Sequence, residues 1–437
     1  MRTSKLHKYE IIKEMIMEIS SIETDILVVG AGISGITTAL EAAETGFTVT
    51  LIEKNPYIGG RVAQMNQYFP KLCPPTCGME INIRRLRDNP RITLYTLAEV
   101  KSVSGDAGNY SVNVNVKPRY VNNKCTNCGD CATACTVERS NDFNFGMDKT
   151  KAIYLPYNNC YPMKYVLDKS LCSREELNLI IDSCKYNAID VNEEDREINI
   201  NAKAIVWASG WDPYNASNLE TLGYGKLQGV VTNMMLERLA SASGPTGGKI
   251  QIPGSDKPIE KVAFVQCAGS RDENHLEYCS SVCCMASLKQ AQYIREQLPE
   301  TEIHVFYIDI RSPGPLEDFY TKMQNDSKVF FHRGKVAKVI QDPTSKQLIV
   351  EAEDTMAGEL KQSSVDLVVL ATGMQPTTSK NGFPVQPLLD ENGFVRTDVD
   401  KSIIGCGVCT GPKEVSSVVQ ESTGAAMKAI HIVKGGN

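Results

Sequence analysis

"TDILVVGAGISGITTALEAAETGFTVTLIE", residues 24 to 53, holds an apolar run, a glycine-rich turn, a helical stretch and a second apolar run in one unbroken segment. Ile26 to Val29 has the length and composition of a buried parallel strand, Ile36 to Glu44 reads as a helix, and Val49 to Ile52 makes the next strand. Between them Gly30, Gly32 and Gly35 form G-x-G-x-x-G. Gly30 permits the tight turn, Gly32 lets backbone approach a pyrophosphate, and Gly35 lets helix and strand pack closely. Glu53 ends the second strand about 20 residues further on, where a carboxylate accepts hydrogen bonds from both ribose hydroxyls of an adenosine. A glycine triplet alone is a common turn. With strand, helix and acid in place it predicts a dinucleotide site, flavin or nicotinamide.

The chain is 437 residues long, enough for two or three domains, and its 42 % hydrophobic and 22 % charged residues suit a globular protein. A net charge of -6 with no basic stripe argues against nucleic acid as a partner. No apolar run approaches the ~18 residues of a membrane span; "DLVVLATGM" is bounded by Asp366 and the polar stretch after Met374. "MRTSKLHKYEIIKEMIMEIS" alternates charge with apolar residues and lacks a signal-peptide core, so a short amphipathic helix is expected there. Fifteen cysteines in a chain without an export signal point to metal or redox chemistry rather than structural disulfides.

Their clustering is specific. "CTNCGDCATAC" supplies Cys125, Cys128, Cys131 and Cys135 in the C-x2-C-x2-C-x3-C order that wraps a 4Fe-4S cluster, with Thr136 where proline is usual. In two-cluster ferredoxins the fourth cysteine of each run serves the other cluster, so the partner of the first three comes from a second run. That run, "CSREELNLIIDSCKYNAID", keeps Cys172 and Cys184 but resembles a ferredoxin motif whose inner ligands have become Leu177 and Ile180. One cluster is therefore expected, on Cys125, Cys128, Cys131 and Cys184, with Cys135 and Cys172 left as buried small residues.

Residues 200–213, "INAKAIVWASGWDP", and 365–376, "VDLVVLATGMQP", repeat a strand, Ala-Ser/Thr-Gly and a proline turn. Between them lies a second β-α-β pattern: strand Val262 to Gln266, helix near Ser281 to Gln297, strand Ile303 to Ile308. Its first turn, in "VAFVQCAGSRDENHLEYCSSVCCMASLKQA", reads Cys267-Ala268-Gly269-Ser270, without the glycine spacing that admits a pyrophosphate. Cys267, Cys279, Cys283 and Cys284 could instead converge on a second 4Fe-4S cluster; packed thiols and a catalytic cysteine pair are the alternatives.

These motifs together, with "KAIYLPYNNCYPMKYVLDKSLC", resemble the A-type subunit of heterodisulfide reductase. Within that family "GGRVAQMNQYFPKLCPPTCGMEINIRRL" and the chain length resemble the A-type subunit of quinone-interacting membrane-bound oxidoreductase complexes. The resemblance implies an α/β fold: a thioredoxin-reductase-like flavoprotein with two Rossmann-like nucleotide-binding domains and an inserted ferredoxin-like domain. The corresponding division is an N-terminal extension 1–23, FAD domain 24–117, insertion 118–192, return strand 193–212, second nucleotide-binding-like domain 213–388, and FAD domain again 389–437.

By the same resemblance the first cofactor is FAD, held by Gly30, Gly32, Gly35 and Glu53 with Lys54, Gly60, Arg61, Val100, Ser209, Gly210, Gly373 and Gly407. Cys267, Cys279, Cys283 and Cys284 bind a cluster, giving two 4Fe-4S clusters in all. "SIIGCGVCTGPKEVSSVVQESTGAAMKAI" closes over the flavin with a helix beginning near Glu414. The implied partners are adenylylsulfate reductase, a sister flavin/iron-sulfur subunit and a membrane quinone-reactive subunit, with the chain cytoplasmic and peripheral to the membrane through those subunits. The expected function is FAD and iron-sulfur electron transfer between the quinone pool and adenylylsulfate reductase. The alternative within the same class is a heterodisulfide reductase assembly acting on a thiol substrate, and the competing classes are a stand-alone NAD(P)H or disulfide oxidoreductase and a structural scaffold with relic motifs.

Four further features lie outside these motifs. Cys73 and Cys77 in "CPPTC", and Cys406 and Cys409 in "CGVC", have the close spacing of redox disulfides. His275 stands in the cysteine-rich loop, available to hydrogen-bond a cluster or to face solvent. Lys289, five residues after Cys284, is a candidate catalytic residue, since a cation near a flavin ring stabilises its reduced anion; a solvated helix lysine is the other reading.

Overall fold

The computed structural model describes residues 21–355, 357–379 and 388–435, so the amphipathic helix expected over residues 1–20 lies outside the described residues. The opening motif folds as strand β1 (Ser21–Val29), helix α1 (Ile33–Glu44) and strand β2 (Val49–Glu53). Helix α2 (Thr76–Asp88) leads to β3 (Ile92–Thr96), and a hairpin of β4 (Ala98–Asp106) and β5 (Asn109–Val116) follows. The long strand β6 (Arg196–Trp207) returns the chain to the middle of this sheet, whose order is β3-β2-β1-β6-β5-β4. β6 runs parallel to β1 from Ser21↔Asn199 to Val29↔Trp207, and antiparallel to β5 from Arg196↔Val116. Its apolar faces explain why it can: Ile198, Ile200 and Ile205 pack under the hairpin, Ala204 and Val206 under α1.

A second lobe follows: β7 (Val230–Thr232), α5 (Asn233–Ala240), β8 (Lys261–Ala268), α6 (Cys283–Gln297), β9 (Glu302–Tyr307), β10 (Val329–Arg333) and β11 (Leu367–Thr372). Its strands form one parallel sheet, β7-β11-β8-β9-β10, as near-continuous apolar runs such as "LVVLAT" dictate when both faces are covered. Helix α6 packs on one face through Met285, Leu288 and Ile294. An antiparallel sheet of Val336–Gln341, Leu348–Asp354 and Glu359–Val365 packs on the other through Val339 and Val350. The two proline turns pair as short strands, Trp211↔Pro376 to Pro213↔Met374, and join the lobes. The chain then re-enters the first lobe: β12 (Ile403–Gly405) adds to β6, and α7 (Val415–Val433) packs on α1.

The segment between β5 and β6 is an insertion built around α3 (Asp130–Ala134) and α4 (Arg174–Asp182). Ser173 caps α4 by accepting from the Glu176 N–H at 3.2 Å, and the Glu176 carboxylate reaches across to Thr136, binding its N–H at 2.6 Å and its hydroxyl at 2.8 Å. The insertion docks on both lobes at an aromatic junction. Phe143 stacks on Tyr157 with centroids 4.7 Å apart, Tyr57 of the first lobe meets both edge-on, and Arg238 of α5 lies over Phe143 at 4.7 Å.

The helix-to-strand packing of the first motif depends on Gly35: a Cβ there would lie 1.8 Å from the Gly30 carbonyl oxygen. Gly35→Ala should therefore lower stability by roughly 1–3 kcal/mol or more, read as a drop in the urea or thermal midpoint, because backbone on both sides must separate to admit a methyl group.

Candidate functional site

A cleft of about 640 Å³ runs between the lobes, and most of the expected cofactor residues line it. Gly30 and Gly32 bring the first turn to its floor, Glu53 and Lys54 end β2 at one side, and Gly60, Arg61, Val100, Ser209 and Gly210 complete that wall. Gly35, Gly373 and Gly407 do not line it. Gly35 packs α1 on β1, Gly373 lies beneath the Ser270 and Ser280 side chains, and Gly407 abuts Ser34, so these three glycines shape the walls from behind.

The chemistry of the cleft fits a dinucleotide such as FAD. Helix α1 begins at Ile33 behind Gly32 at its N-cap, with no side-chain cap and no acid in its first turn, leaving N–H groups and the positive end of its dipole toward the cleft at Ile33 and Ser34. Gly60, with φ of +56°, faces Gly32 so closely that a Cβ would come within 2.9 Å of the Gly32 Cα. Side chains are thus excluded where a pyrophosphate would pass. Glu53 is buried, and burial raises its pKa from the ordinary value; its oxygens accept from Ala31 N–H at 2.8 Å and Asn55 N–H at 2.9 Å, which fixes its orientation. The Ser209 hydroxyl is buried at the wall with no hydrogen-bond partner among the described residues. Arg61 is held by Asp212 and by Gln64 at 2.9 Å.

The second lobe supplies the opposite wall through Cys283, Lys289 and Gln290 of α6 and Glu237 of α5. Lys289 is buried rather than solvated: its ammonium lies 2.8 Å from Glu237 and bonds the Gln67 carbonyl of the first lobe at 2.5 Å. Glu237 also accepts from Gln290 at 2.7 Å and from the Asn66 N–H at 3.0 Å. Sequence reading missed Glu237; the only signal was an acid and an arginine side by side in the otherwise apolar helix "NMMLERLA".

Cys283 and Cys284 open α6, Cys267 stands near the end of β8 with φ of +55°, and Cys279 lies in the loop before the helix. The four sulfurs are mutual neighbours: burial raises the Cys283 thiol, and proximity to Cys284, Cys267 and Cys279 raises it further. The glycine-poor turn is closed by its own surroundings. The Tyr214 ring packs where a Cβ on Gly269 would project, and Tyr214 OH bonds His275 at 2.8 Å, so this histidine is half-buried and anchored.

In the insertion, Cys125, Cys128, Cys131 and Cys184 line one small cavity with Val121, Tyr165, Ala188 and Ile189. Asn127 and Gly129 have φ of 60° and 89°, alternating along the cysteine loop in the manner that turns successive N–H groups toward one centre. The Ala188 N–H donates to Cys184 Sγ at 3.4 Å. Cys135 packs in the apolar core with Ile180, while Cys172 is partly buried beside it with Leu177. The set of four sulfurs thus fits one cubane. Among the described residues no three such side chains converge as ligands of a single metal ion do. A cubane instead takes one thiolate on each of four irons.

The pair Cys406 and Cys409 is placed differently from a redox disulfide. Cys406 and Cys409 are fully buried; Cys406 Sγ is 3.0 Å from the Ser34 hydroxyl, and Cys409 Sγ donates to the Trp207 carbonyl at 3.1 Å. Burial raises both thiols, Cys409 to about 12, the reverse of an activated nucleophile. Cys77 is exposed at the start of α2 and Cys73 partly so.

The fold is the two-lobed α/β fold of thioredoxin reductases. The chain aligns over 94 % of its length with thioredoxin reductases from Lactococcus lactis (TM-score 0.52, 12 % identity, 99 % of that chain) and T. acidophilum (0.51, 14 %, 98 %). An NAD(P)-binding Rossmann-like domain model matches residues 28–92.

Over nearly its whole length the chain is similar to A-type heterodisulfide reductase subunits. It is 38 % identical over 426 residues to one of the A-type CoB–CoM heterodisulfide reductase iron-sulfur subunits of Methanopyrus kandleri, covering 94 % of this chain and 64 % of the relative. It is also 38 % identical over 433 residues to the corresponding protein of Methanocaldococcus jannaschii, covering 95 % and 65 %. The chain thus spans just under two thirds of the length of these relatives. Among the described residues no helix is long and apolar enough to cross a membrane.

Burial raises the thiols of Cys131 and Cys267 from the ordinary 9.0 to about 11. A folded-state value above the unfolded one contributes stability below the unfolded value and loses it as pH rises. The melting midpoint of metal-free protein should accordingly fall between pH 9 and 11. A midpoint flat across that window would show that neither thiol is buried in the folded state.

Proposed function

We propose that this chain is an FAD and iron-sulfur electron-transfer subunit that works within a larger oxidoreductase assembly. The observation that carries the reading is Cys283: one member of the second-lobe thiol quartet stands in the wall of the cleft that the first lobe's dinucleotide turn opens into. A nicotinamide-dependent relative needs an open glycine turn in the second lobe, whereas here Tyr214 packs against that turn and sulfurs surround it. Bound FAD would supply interconversion between two-electron and one-electron transfer, and the clusters would accept electrons singly.

The chain's own residues then have definite tasks. The α1 N-terminus, Gly32 and Gly60 receive the diphosphate, and Glu53 orients the adenosine ribose. Lys289 is a cation at the cleft wall, and Glu237 holds it there. Cys125, Cys128, Cys131 and Cys184 hold one cluster in the insertion; Cys267, Cys279, Cys283 and Cys284 hold the other. Leu177 and Ile180 fill the region where a second ferredoxin cluster would sit.

The particular assembly we infer is a quinone-linked one, with adenylylsulfate reductase, a sister flavin/iron-sulfur subunit and a membrane quinone-reactive subunit as partners. The motif over residues 59–86 supports this reading. The names of the aligned relatives favour a second, in which the assembly serves a thiol heterodisulfide. Purifying the native assembly and asking whether a quinol analogue or a heterodisulfide changes the flavin spectrum separates the two.

Purified chain should carry one FAD and about eight irons, four for each cubane. Cys184→Ser should lose about half the iron and Cys283→Ser about the other half, whereas Cys135→Ser should keep all of it. Rapid bleaching of the flavin by NADH, or iron loss in Cys135→Ser equal to that in Cys184→Ser, would contradict the assignment.

A further inference from the structure

Arg119 is 9 % exposed, at the point where the insertion leaves the first lobe. Its guanidinium donates in two directions. On the flavin side it bonds the Thr96 hydroxyl at 2.9 Å and the Pro56 carbonyl, and Pro56 lies between Asn55 and Tyr57, both of which line the cleft. On the insertion side it bonds the Lys164 carbonyl at 3.3 Å. Lys164 precedes Tyr165, which lines the cavity of Cys125, Cys128, Cys131 and Cys184; Val121, two residues beyond Arg119, lines it as well. One side chain therefore touches the supports of both candidate redox sites.

Its electrostatic situation is unusual. Every bond the guanidinium makes goes to a neutral oxygen. Glu193, the nearby acid, is exposed and accepts instead from the backbone N–H groups of Arg119 and Tyr120, at 3.1 and 2.8 Å. Burial lowers the guanidinium's pKa from the ordinary value, and Cys160, Tyr154, Glu193 and Cys125 oppose that fall. A buried cation to which no carboxylate is bonded is costly unless negative charge stands close. A cubane with four thiolate ligands carries net negative charge, and its ligand Cys125 is a neighbour.

We propose that Arg119 is the counter-charge of the inserted iron-sulfur cluster, raising its reduction potential, and that it fixes the insertion to the flavin-binding wall. A positive charge in a medium of low dielectric favours the state holding one more electron. The inference rests on the reading of Cys125, Cys128, Cys131 and Cys184 as cluster ligands.

The test is a redox titration followed by electron paramagnetic resonance, with iron counted, on the full chain. The signal of the inserted cluster is identified by its loss in Cys184→Ser. Should Cys184→Ser lose no iron, the cluster reading itself falls. If the wild type holds that cluster, Arg119→Gln should lower its reduction equilibrium constant about tenfold, which is 59 mV for a one-electron couple. The second cluster should not shift. Arg119→Lys, which keeps the charge, should stay within about threefold of wild type, and so should Lys164→Gln, since Lys164 is half-exposed and solvent screens it.

If Arg119→Gln sheds its iron, Thr96→Asp decides: it sets a carboxylate beside an intact arginine and should produce the same downward shift. Iron lost from both, with Arg119→Lys keeping it, also supports the counter-charge. An unshifted potential in a variant that keeps its iron overturns the proposal. So does Arg119→Lys shifting as far as Arg119→Gln, or all three variants shedding iron alike, because hydrogen-bond geometry rather than charge would then be responsible.

Discussion

The pairing of β1 with β6 is the constraint on which the molecule depends. Eight residue pairs between Ser21↔Asn199 and Val29↔Trp207 set these strands side by side, so the turn after β1 and the turn after β6 emerge together. Gly30 then meets Ala208 so closely that a Cβ would lie 2.4 Å from its carbonyl oxygen. From that contact the cleft follows. One turn contributes the helix N-terminus that suits a diphosphate, the other contributes Ser209 and Gly210 and leads directly into the lobe-joining pair Trp211–Pro213 with Met374–Pro376. The same strand returns the chain from the insertion and accepts β12 from the C-terminal segment, so three distant parts of the sequence are referenced to one axis.

Where the lobes meet, the protein buries charge. Glu237 and Lys289 are each 3 % exposed at their side chains, and their remaining polar atoms are met by Asn66, Gln67 and Gln290. An ion pair so placed gains little net stability over an apolar pair, but removing one partner leaves the other stranded, at about 3–5 kcal/mol. Its effect is to fix the lobes in one relation, with the backbone of residues 66 and 67 in the first lobe bonded to two helices of the second. The neighbouring Arg238 does the same for the insertion, through Asn144 at 2.8 Å and the Phe143 ring. The three parts of the chain are therefore held together by polar contacts that each part completes for the others.

Most of the elements were legible in the sequence because their signals are local. The first β-α-β unit, the strand carrying Cys267 and the helix opened by Cys283 follow from apolar periodicity; the first strand begins earlier than expected, at Ser21 rather than Ile26, and the strand and helix of the second unit lie within two residues of the reading. Helix α1 starts at Ile33 rather than Ile36, because the glycine turn itself supplies the first helical residues. The grouping of Cys125, Cys128 and Cys131 was fixed by spacing. Adding Cys184 needed the observation that Leu177 and Ile180 cannot bind metal, and their apolar packing beside Cys172 and Cys135 agrees with that logic. Glu237, Asp212 and Arg119 were not legible. Each is an ordinary charged residue in its own segment, and its role exists only through partners distant in the sequence: Gln290 is 53 positions from Glu237, Arg61 is 151 from Asp212, and the partners of Arg119 are 23 to 74 positions away.

By itself the sequence determined which chemistries the chain holds: a glycine turn for phosphate, thiols in ligand order, and a second lobe without the turn a nicotinamide needs. These are carried by neighbours along the chain, where backbone geometry alone relates one residue to the next. Only the tertiary structure decided that Cys283 faces the flavin-type cleft, that Lys289 is buried against Glu237, and that Arg119 stands between two sites with its guanidinium on neutral oxygens. Burial and charge pairing are sums over everything packed around a group, and no local pattern encodes them.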